Sequence, residues 1–166
     1  MGKLIILRGN SGSGKTSVAK ALQKKFGANT MRISHDMVRM EMLHVWSAEG
    51  IVKSELLMIQ LLEYGSVNSE ITIMEGILPT KEYRRLFEAA TRAFGDDIFA
   101  YYYDLPFEET LNRHQTKPNC NEFGEADMRQ WWKEKDYLPT MQETILTKDL
   151  SLEDVVEMIY AQVSSS

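Results

Sequence analysis

The stretch GNSGSGKTS, residues 9–17, sets three glycines among small polar residues and follows them at once with Lys15 and Thr16. Glycine loses more backbone entropy on folding than any other residue, and small polar side chains bury little apolar area. Packing in a hydrophobic core therefore does not explain this segment. Another interaction has to hold it in place.

The glycine-rich stretch lies between an apolar run and an amphipathic segment. Leu4 to Leu7 are all apolar, which is typical of a strand that is buried on both faces. Ser17 to Phe26 carries apolar residues at helical spacing and is followed by Gly27. The stretch is therefore predicted to join a buried strand to a helix.

The spacing of these residues fits the phosphate-binding pattern G-x-x-x-x-G-K-[ST]. In such a loop, glycines let backbone N–H groups surround phosphate oxygens, and the helix start adds a favourable dipole. Lys15 is expected to reach the β and γ phosphates of a nucleotide, and the Thr16 hydroxyl is expected to hold Mg²⁺. The residues expected to bind the nucleotide are Gly9, Asn10, Ser11, Gly12, Ser13, Gly14, Lys15, Thr16 and Ser17.

Strands and helices alternate along the rest of the chain, which predicts an α/β fold with a parallel sheet and helices on both faces. Ligands bind beyond the carboxyl ends of strands in such sheets, so His35-Asp36, Glu75-Gly76 and Asp104 join the glycine loop as candidates. Further strands are predicted over 30–34, 71–74, 98–103 and 143–146. Further helices are predicted over 37–45, 51–64, 81–94, 107–114, 127–135 and from the cap Ser151 to about 163, with a loop over 115–124.

Composition narrows the class of protein. The 166 residues, 43% hydrophobic and 26% charged, suit one globular domain over residues 1–166. The net charge of −5 argues against broad electrostatic binding of nucleic acid. Cys120 is the only cysteine, and the apolar runs are too short for a signal-peptide core or a membrane span, so we expect a cytoplasmic protein.

Three segments together resemble the small P-loop kinases, and most closely their polynucleotide 5′-kinase and zeta-toxin-like branches. The segments are residues 9–17, Ser34-His35-Asp36-Met37-Val38-Arg39, and Asn112-Arg113-His114-Gln115-Thr116-Lys117. The resemblance extends from about residue 3 to residue 163. It implies a three-layer fold with strand order 2-3-1-4-5 and a mobile lid near residues 113–127.

The resemblance also implies roles for two residues after the second strand. Asp36 matches the Asp that accepts the proton of the attacking hydroxyl, and Arg39 matches the Arg that holds the acceptor. Three residues apart at a helix start, both side chains project to the same side. An Asp that caps the helix, beside a solvated Arg, is the structural alternative.

The lid is expected to supply positively charged side chains in addition to Lys15 of the glycine loop. Arg113 resembles the lid arginine that neutralises charge on the transferring phosphoryl group, with a surface helix residue as the alternative. Lys117 stands where the family often has a second Arg, and its role in substrate binding stays open because it is a point charge. Glu75 stands where many P-loop proteins place an Asp for Mg²⁺; metal positioning, substrate contact and a structural carboxylate are its alternatives.

The expected activity is that of an ATP- and Mg²⁺-dependent kinase with an alcohol group as acceptor. The acidic chain shows no basic-aromatic stripe, which favours a nucleoside, nucleotide, sugar derivative or other small molecule over a polynucleotide 5′ end. A non-catalytic ATP-binding sensor and a toxin-like kinase of cell-wall sugar nucleotides are the rival functions. Adjacent Trp131 and Trp132 face different sides of a helix, so at most one of them is expected in a cleft.

Overall fold

The computed structural model describes residues 2–118 and 120–166 and forms one five-stranded parallel sheet. The strands lie in the order β2-β3-β1-β4-β5. Their bounds are β1 Lys3–Gly9, β2 Thr30–Ser34, β3 Ile71–Gly76, β4 Ile98–Tyr103 and β5 Glu143–Leu146. The predicted fold class and strand order are confirmed.

Six α-helices and one π-helical segment connect the strands. The helices are α1 Lys15–Phe26, α2 Ala48–Asn68, α3 Arg84–Phe94, α4 Phe107–Gln115, α5 Glu125–Trp131 and α6 Leu152–Ser164, and the π-helical segment is Met37–Met42. Ser151 caps α6 as expected, since it exchanges two 3.0 Å hydrogen bonds with Asp154. Among the described residues, no helix is both long and apolar enough to cross a membrane. Within the predicted 115–124 loop, Asn119 lies outside the described residues.

The helix predicted over 37–45 is wrong in type and length. The chain forms the π-helical segment and then turns back, with His44 in a left-handed conformation at φ 55°. The Arg39 guanidinium donates to the carbonyl oxygens of Val45 and Trp46 at 3.2 and 2.7 Å. These bonds hold residues 45–46 against the segment, so the helix cannot continue along its axis.

The helix predicted over 127–135 is shifted, and the one predicted over 81–94 is too long. α5 begins at Glu125 and ends at Trp131, because the Asn10 side chain binds both backbone polar groups of Lys133 at 2.7 and 2.8 Å. α3 begins only at Arg84, after a turn over residues 81–83. In both places a tertiary contact or turn overrides the local periodicity.

The central strand β1 divides the core into two clusters. Leu4 and Ile6 pack with residues of α2 and α3 on one face of the sheet, and Ile5 and Leu7 pack with residues of α1 and α6 on the other. All four side chains are fully buried. This two-sided burial explains why β1 is a continuous apolar run, and it holds the first residues of the glycine loop at the sheet edge.

A fully buried arginine lies at the end of β1, directly before the glycine loop. Arg8 forms ion pairs with Glu143 at 2.7 Å and Asp136 at 3.0 Å, and it donates to the Leu78 carbonyl oxygen at 3.2 and 3.3 Å. Its guanidinium also lies over the rings of Phe87 and Tyr102. Arg8 therefore ties β1 to the segments that follow β3 and α5.

We expect Arg8→Met to destabilise the protein by about 3–5 kcal/mol, because it leaves the buried Glu143 carboxylate without its cation. Urea denaturation at pH 7 measures the loss. Arg84→Met is the matched control: Arg84 is 78% exposed and pairs with Glu88 on the surface, so its loss is expected to stay within about 0.5 kcal/mol. Equal effects of the two substitutions would contradict a structural role for Arg8.

Candidate functional site

The glycine loop is shaped by backbone conformations that favour glycine. Gly12 and Gly14 have φ of 83° and 99°. A Cβ atom at Gly12 would lie 2.4 Å from the Thr110 carbonyl oxygen, so α4 approaches the loop too closely for any side chain there. Helix α1 begins at Lys15, so its first backbone N–H groups have no carbonyl partner one turn earlier. This arrangement is suited to binding an anion such as a phosphate.

Lys15 is buried beside this loop. Its ammonium donates to the Asn10 carbonyl oxygen at 2.8 Å, and only 7% of the residue is exposed. Burial lowers the pKa of Lys15 to about 8, although the nearby carboxylates of Glu75 and Asp36 oppose this shift. A desolvated cation in this position attracts a phosphate more strongly than an exposed one would.

Thr16 and Glu75 offer two oxygen atoms that fit a magnesium ion. The Thr16 hydroxyl donates to the Glu75 carboxylate at 2.9 Å, and Glu75 is buried at the end of β3. Oxygen ligands in adjacent octahedral positions around Mg²⁺ are also about 2.9 Å apart. No cluster of three or more His, Cys, Asp or Glu side chains is placed to hold a metal within residues 2–118 and 120–166. A magnesium ion bound here would therefore take most of its ligands from water and phosphate.

The two residues predicted after β2, Asp36 and Arg39, differ in their hydrogen bonds within the protein. The Asp36 side chain is 70% exposed, and among the described residues it makes no capping hydrogen bond to the π-helical segment, which argues against the capping alternative. Both Asp36 and Arg39 line a cleft next to the glycine loop. The Arg39 guanidinium, however, is bonded to the carbonyl oxygens of Val45 and Trp46, so in this structure it positions that turn.

Arg113 and Lys117 bring positive charge to the loop from α4 and the residues after it. Arg113 donates to the Ser13 carbonyl oxygen at 2.8 Å and to Glu109 at 2.9 Å. Burial lowers the pKa of Lys117, and the charges of Asp36 and Glu75 oppose that shift. Arg113 therefore contacts the loop directly, at the backbone of Ser13.

The cleft beside the loop has a volume of about 380 Å³ and mixed walls. Apolar walls come from Met40, Ile51, Ile77, Pro79, Tyr83, Phe123 and Trp131, and the polar groups include Ser11, His35, Asp36 and Arg39. Trp131 is 41% exposed and lines the cleft, whereas Trp132 turns toward Phe107 and bonds Glu134. The prediction that at most one tryptophan lies in a cleft agrees with this arrangement.

Sequence reasoning named Asn10, His35 and Gly76 as candidates without their tertiary contacts, and it missed Tyr83. Asn10 bonds the backbone of Lys133 and so joins the glycine loop to the segment after α5. His35 and Tyr83 meet in a buried hydrogen bond at the back of the cleft. Gly76 makes room for His35, since a Cβ atom there would lie 2.6 Å from the His35 Cβ. The only signal in the sequence was the position of His35 and Gly76 at the carboxyl ends of β2 and β3.

We expect Lys15→Met to raise the free energy of unfolding at pH 7 by on the order of 1–3 kcal/mol, because it removes a buried charge whose pKa is lowered. Between pH 8 and 10.5 the unfolded chain keeps a proton on Lys15 that the folded protein has released, so wild-type stability rises with pH across this window. The advantage of the variant should therefore shrink toward pH 10.5.

Urea denaturation at pH 7 and pH 10 measures both effects. Lys20→Met on the exposed side of α1 is the control, and it is expected to leave the stability and its pH dependence nearly unchanged. A destabilised Lys15→Met protein at pH 7 would contradict a desolvation cost at this lysine.

Comparison with known families identifies the chain. The model of the chloramphenicol phosphotransferase-like protein family matches residues 2–95, which is more than half of the chain and contains the glycine loop, Asp36 and Glu75. No curated protein matches the sequence significantly.

Solved structures share the fold. The APS kinase of Mycobacterium tuberculosis in complex with AMPPNP and APS is 21% identical, with a TM-score of 0.69 over 99% of this chain and 98% of that one. A gluconokinase from Sinorhizobium meliloti 1021 is 14% identical, with a TM-score of 0.66 over 98% and 92%. The tunicamycin resistance protein of Deinococcus radiodurans is 18% identical, with a TM-score of 0.66 over 98% and 96%. The resemblance to small P-loop kinases is confirmed, and the chain belongs to the chloramphenicol phosphotransferase-like family of P-loop kinases.

Proposed function

We propose that the protein is an ATP- and Mg²⁺-dependent kinase that transfers the γ-phosphoryl group to a hydroxyl of a small molecule. One observation carries this proposal: the glycine loop and the cleft that contains Asp36 adjoin at the same sheet edge and share Ser11 as a wall. A donor phosphate in the loop and an acceptor in the cleft would therefore meet beside a carboxylate. In-line phosphoryl transfer needs this arrangement more than it needs covalent chemistry from the protein.

The donor side is formed by the loop and by α1. Backbone N–H groups of residues 9–17 hold the phosphates, and Lys15 neutralises charge on the β and γ phosphates. Mg²⁺, when bound at Thr16 and Glu75, supplies charge neutralisation on the phosphate oxygens. The hydrogen bond between Thr16 and the buried Glu75 supports this role, since it brings two oxygen ligands together at the start of α1.

Asp36 is the proposed general base on the acceptor side. Its carboxylate is mostly exposed in the cleft and is free of capping bonds within the described residues, so it can accept a hydrogen bond from an acceptor hydroxyl. Arg39 lines the same cleft, and its bonds to Val45 and Trp46 use Nε and Nη2, so its remaining N–H donors are proposed to hold the acceptor.

Arg113 and Lys117 are proposed to stabilise the transferring phosphoryl group from a lid over residues 113–127. The bond from Arg113 to Ser13 places a guanidinium against the loop, where the developing charge would be. Phe123, in the same lid, lines the cleft and stacks on His114. Closing this segment over bound substrates would exclude water and suppress hydrolysis of the donor.

The cleft favours a compact acceptor with an apolar part. Its volume of about 380 Å³ is typical of sites for small molecules, and the side chains of Ile77, Phe123 and Trp131 would pack on a ring or an alkyl group. The family name and the APS kinase and gluconokinase folds associate this architecture with small hydroxylated acceptors. We therefore favour a nucleoside, nucleotide, sugar derivative or similar small alcohol over a polynucleotide 5′ end.

We expect Asp36→Asn to lower the transfer rate by about 100-fold or more while ATP affinity stays the same, because the amide cannot take the hydroxyl proton. Calorimetric titration with an ATP analogue and a transfer assay with γ-labelled ATP measure the two quantities. Asp96→Asn, an exposed substitution in the turn before β4, is the control. In a sensor that closes on ATP without catalysing transfer, neither substitution would change ATP binding, and no transfer would be detected with either variant or with wild type.

The acceptor itself is identified with γ-labelled ATP and metabolite pools, in parallel with wild type and Lys15→Ala. A labelled product that appears only with wild type names the acceptor. Pools of RNA and DNA ends test the polynucleotide alternative, and a growth assay on overexpression tests the toxin-like one. If no pool contains an acceptor, the kinase proposal fails.

With an acceptor identified, Trp131→Ala is expected to raise the acceptor KM about tenfold, as the loss of about 1.4 kcal/mol of ring contact predicts. Trp132→Ala is the matched control, since Trp132 contacts Phe107 and Glu134 and the KM should change little. Steady-state kinetics at saturating ATP give both constants. Equal effects would mean that the tryptophans act through the stability of α5.

A further inference from the structure

A chain of buried hydrogen bonds runs from the back of the cleft to the backbone of α2. His35 Nε2 lies 2.5 Å from the Tyr83 hydroxyl, and that hydroxyl lies 3.1 Å from Ser54 Oγ. The Ser54 hydroxyl lies 2.9 Å from the Ile51 carbonyl oxygen. Ser54 is fully buried and Tyr83 and His35 nearly so, so water does not replace these partners.

The carbonyl at the end of the chain fixes the direction of every bond in it. A carbonyl oxygen can only accept, so the single proton of Ser54 goes to Ile51. Ser54 Oγ must then accept from the Tyr83 hydroxyl, and the Tyr83 oxygen must accept from the N–H of His35 Nε2. His35 is therefore the tautomer with its proton on Nε2, and its Nδ1 carries a lone pair.

The lone pair of Nδ1 faces the proposed base. Nδ1 lies 3.8 Å from Asp36 Oδ1, just beyond hydrogen-bond distance. Burial lowers the pKa of His35 to about 4, while Asp36 opposes this shift and the charges of Arg39 and Lys15 add to it. The ring is thus neutral at physiological pH and donates no hydrogen bond to the Asp36 carboxylate.

We propose that His35 Nδ1 accepts a hydrogen bond from Asp36 once Asp36 has taken the acceptor proton, and that Tyr83 and Ser54 hold the ring in the tautomer that permits this. The proposal rests on the proposed kinase function. His35, Tyr83 and Ser54 are positioning residues here, because they act on the reaction through Asp36.

The acceptor O–H bond breaks as an O–H bond forms on Asp36, and the oxygen electron pair forms the new bond to the γ phosphorus. The bond from that phosphorus to its bridging oxygen breaks, and its electron pair leaves with ADP. The new O–H of Asp36 then donates to Nδ1, and product release returns the proton to water. The opposite tautomer would donate to the carboxylate before transfer and make Asp36 a weaker base.

Ser54→Ala is the decisive variant. Without Ser54 Oγ, the Tyr83 hydroxyl loses its acceptor and turns its proton toward His35 Nε2, so the ring proton moves to Nδ1. Nitrogen-15 NMR of the three histidines distinguishes the two tautomers without any need for activity. We expect wild type to show the Nε2–H form and Ser54→Ala to show the Nδ1–H form, with kcat lowered about three- to tenfold and ATP affinity unchanged.

Ser66→Ala is the matched control. Ser66 is a buried serine in the same helix, with the same kind of bond to a carbonyl three residues earlier, at Glu63. It is expected to change neither the tautomer nor kcat. Tyr83→Phe, which removes the acceptor for Nε2–H and keeps the ring, should mix the tautomers and give an intermediate kcat.

Three results would overturn the proposal: an Nδ1–H tautomer in wild type, an unchanged tautomer in Ser54→Ala, or a changed tautomer with wild-type kcat. Failure of the proposed function is recognised separately. In that case wild type transfers phosphoryl to no acceptor although the NMR tautomer is the Nε2–H form, and the positioning role of His35 falls with it.

Discussion

The sharp turn from β1 into α1 is the constraint on which the rest of the site depends. It requires left-handed backbone at Gly12 and Gly14, and α4 lies so close to Gly12 that a side chain would strike the Thr110 carbonyl. The fully buried β1 holds one end of the turn at the sheet edge, and Glu75 bonds the other end through Thr16. The anion site is therefore built by contacts of the protein itself, which reduces the entropy cost of binding a triphosphate.

Two buried cations flank this turn, and their surroundings differ in a way that explains their roles. Arg8 has two carboxylates and a carbonyl around its guanidinium, so its charge is satisfied and its role is structural. Lys15 has one carbonyl as its bonded partner, and burial lowers its pKa. A desolvated ammonium reduces stability, and the same desolvation strengthens its attraction to a phosphate. The proposed binding site is thus also a weak point of the fold.

The residues of the proposed site come from two parts of the chain. The region that the family model matches, residues 2–95, contains the glycine loop, Asp36 and Glu75, whereas Arg113, Phe123 and Trp131 follow it. Asn10 and Ser13 of the loop bond Lys133 and Arg113, so the two parts meet through hydrogen bonds at the loop. The matched region therefore carries the loop and the proposed base, while the later part supplies Arg113 and Lys117 and one wall of the acceptor cleft.

The sequence by itself determined the parallel fold, the strand order implied by the resemblance, and the glycine loop. These features depend on local patterns: apolar runs for buried strands, helical spacing, and glycines at fixed offsets from Lys15 and Thr16. The proximity of Glu75 to Thr16 was also readable, since carboxyl ends of parallel strands meet at one edge. The roles proposed for Asp36, Arg113 and Lys117 remain predictions.

Only the tertiary structure decided which side chains already form hydrogen bonds or ion pairs within the protein. Arg39 donates hydrogen bonds to the turn at residues 45–46. Helix α5 ends before Lys133, whose backbone binds Asn10. Arg8 is fully buried despite its charge. The inferred tautomer of His35 depends on Tyr83, which lies 48 positions away along the chain, and on Ser54 in α2. Such contacts join residues that are distant in sequence. The local spacing of residues therefore does not predict them, and they form only when the chain has folded.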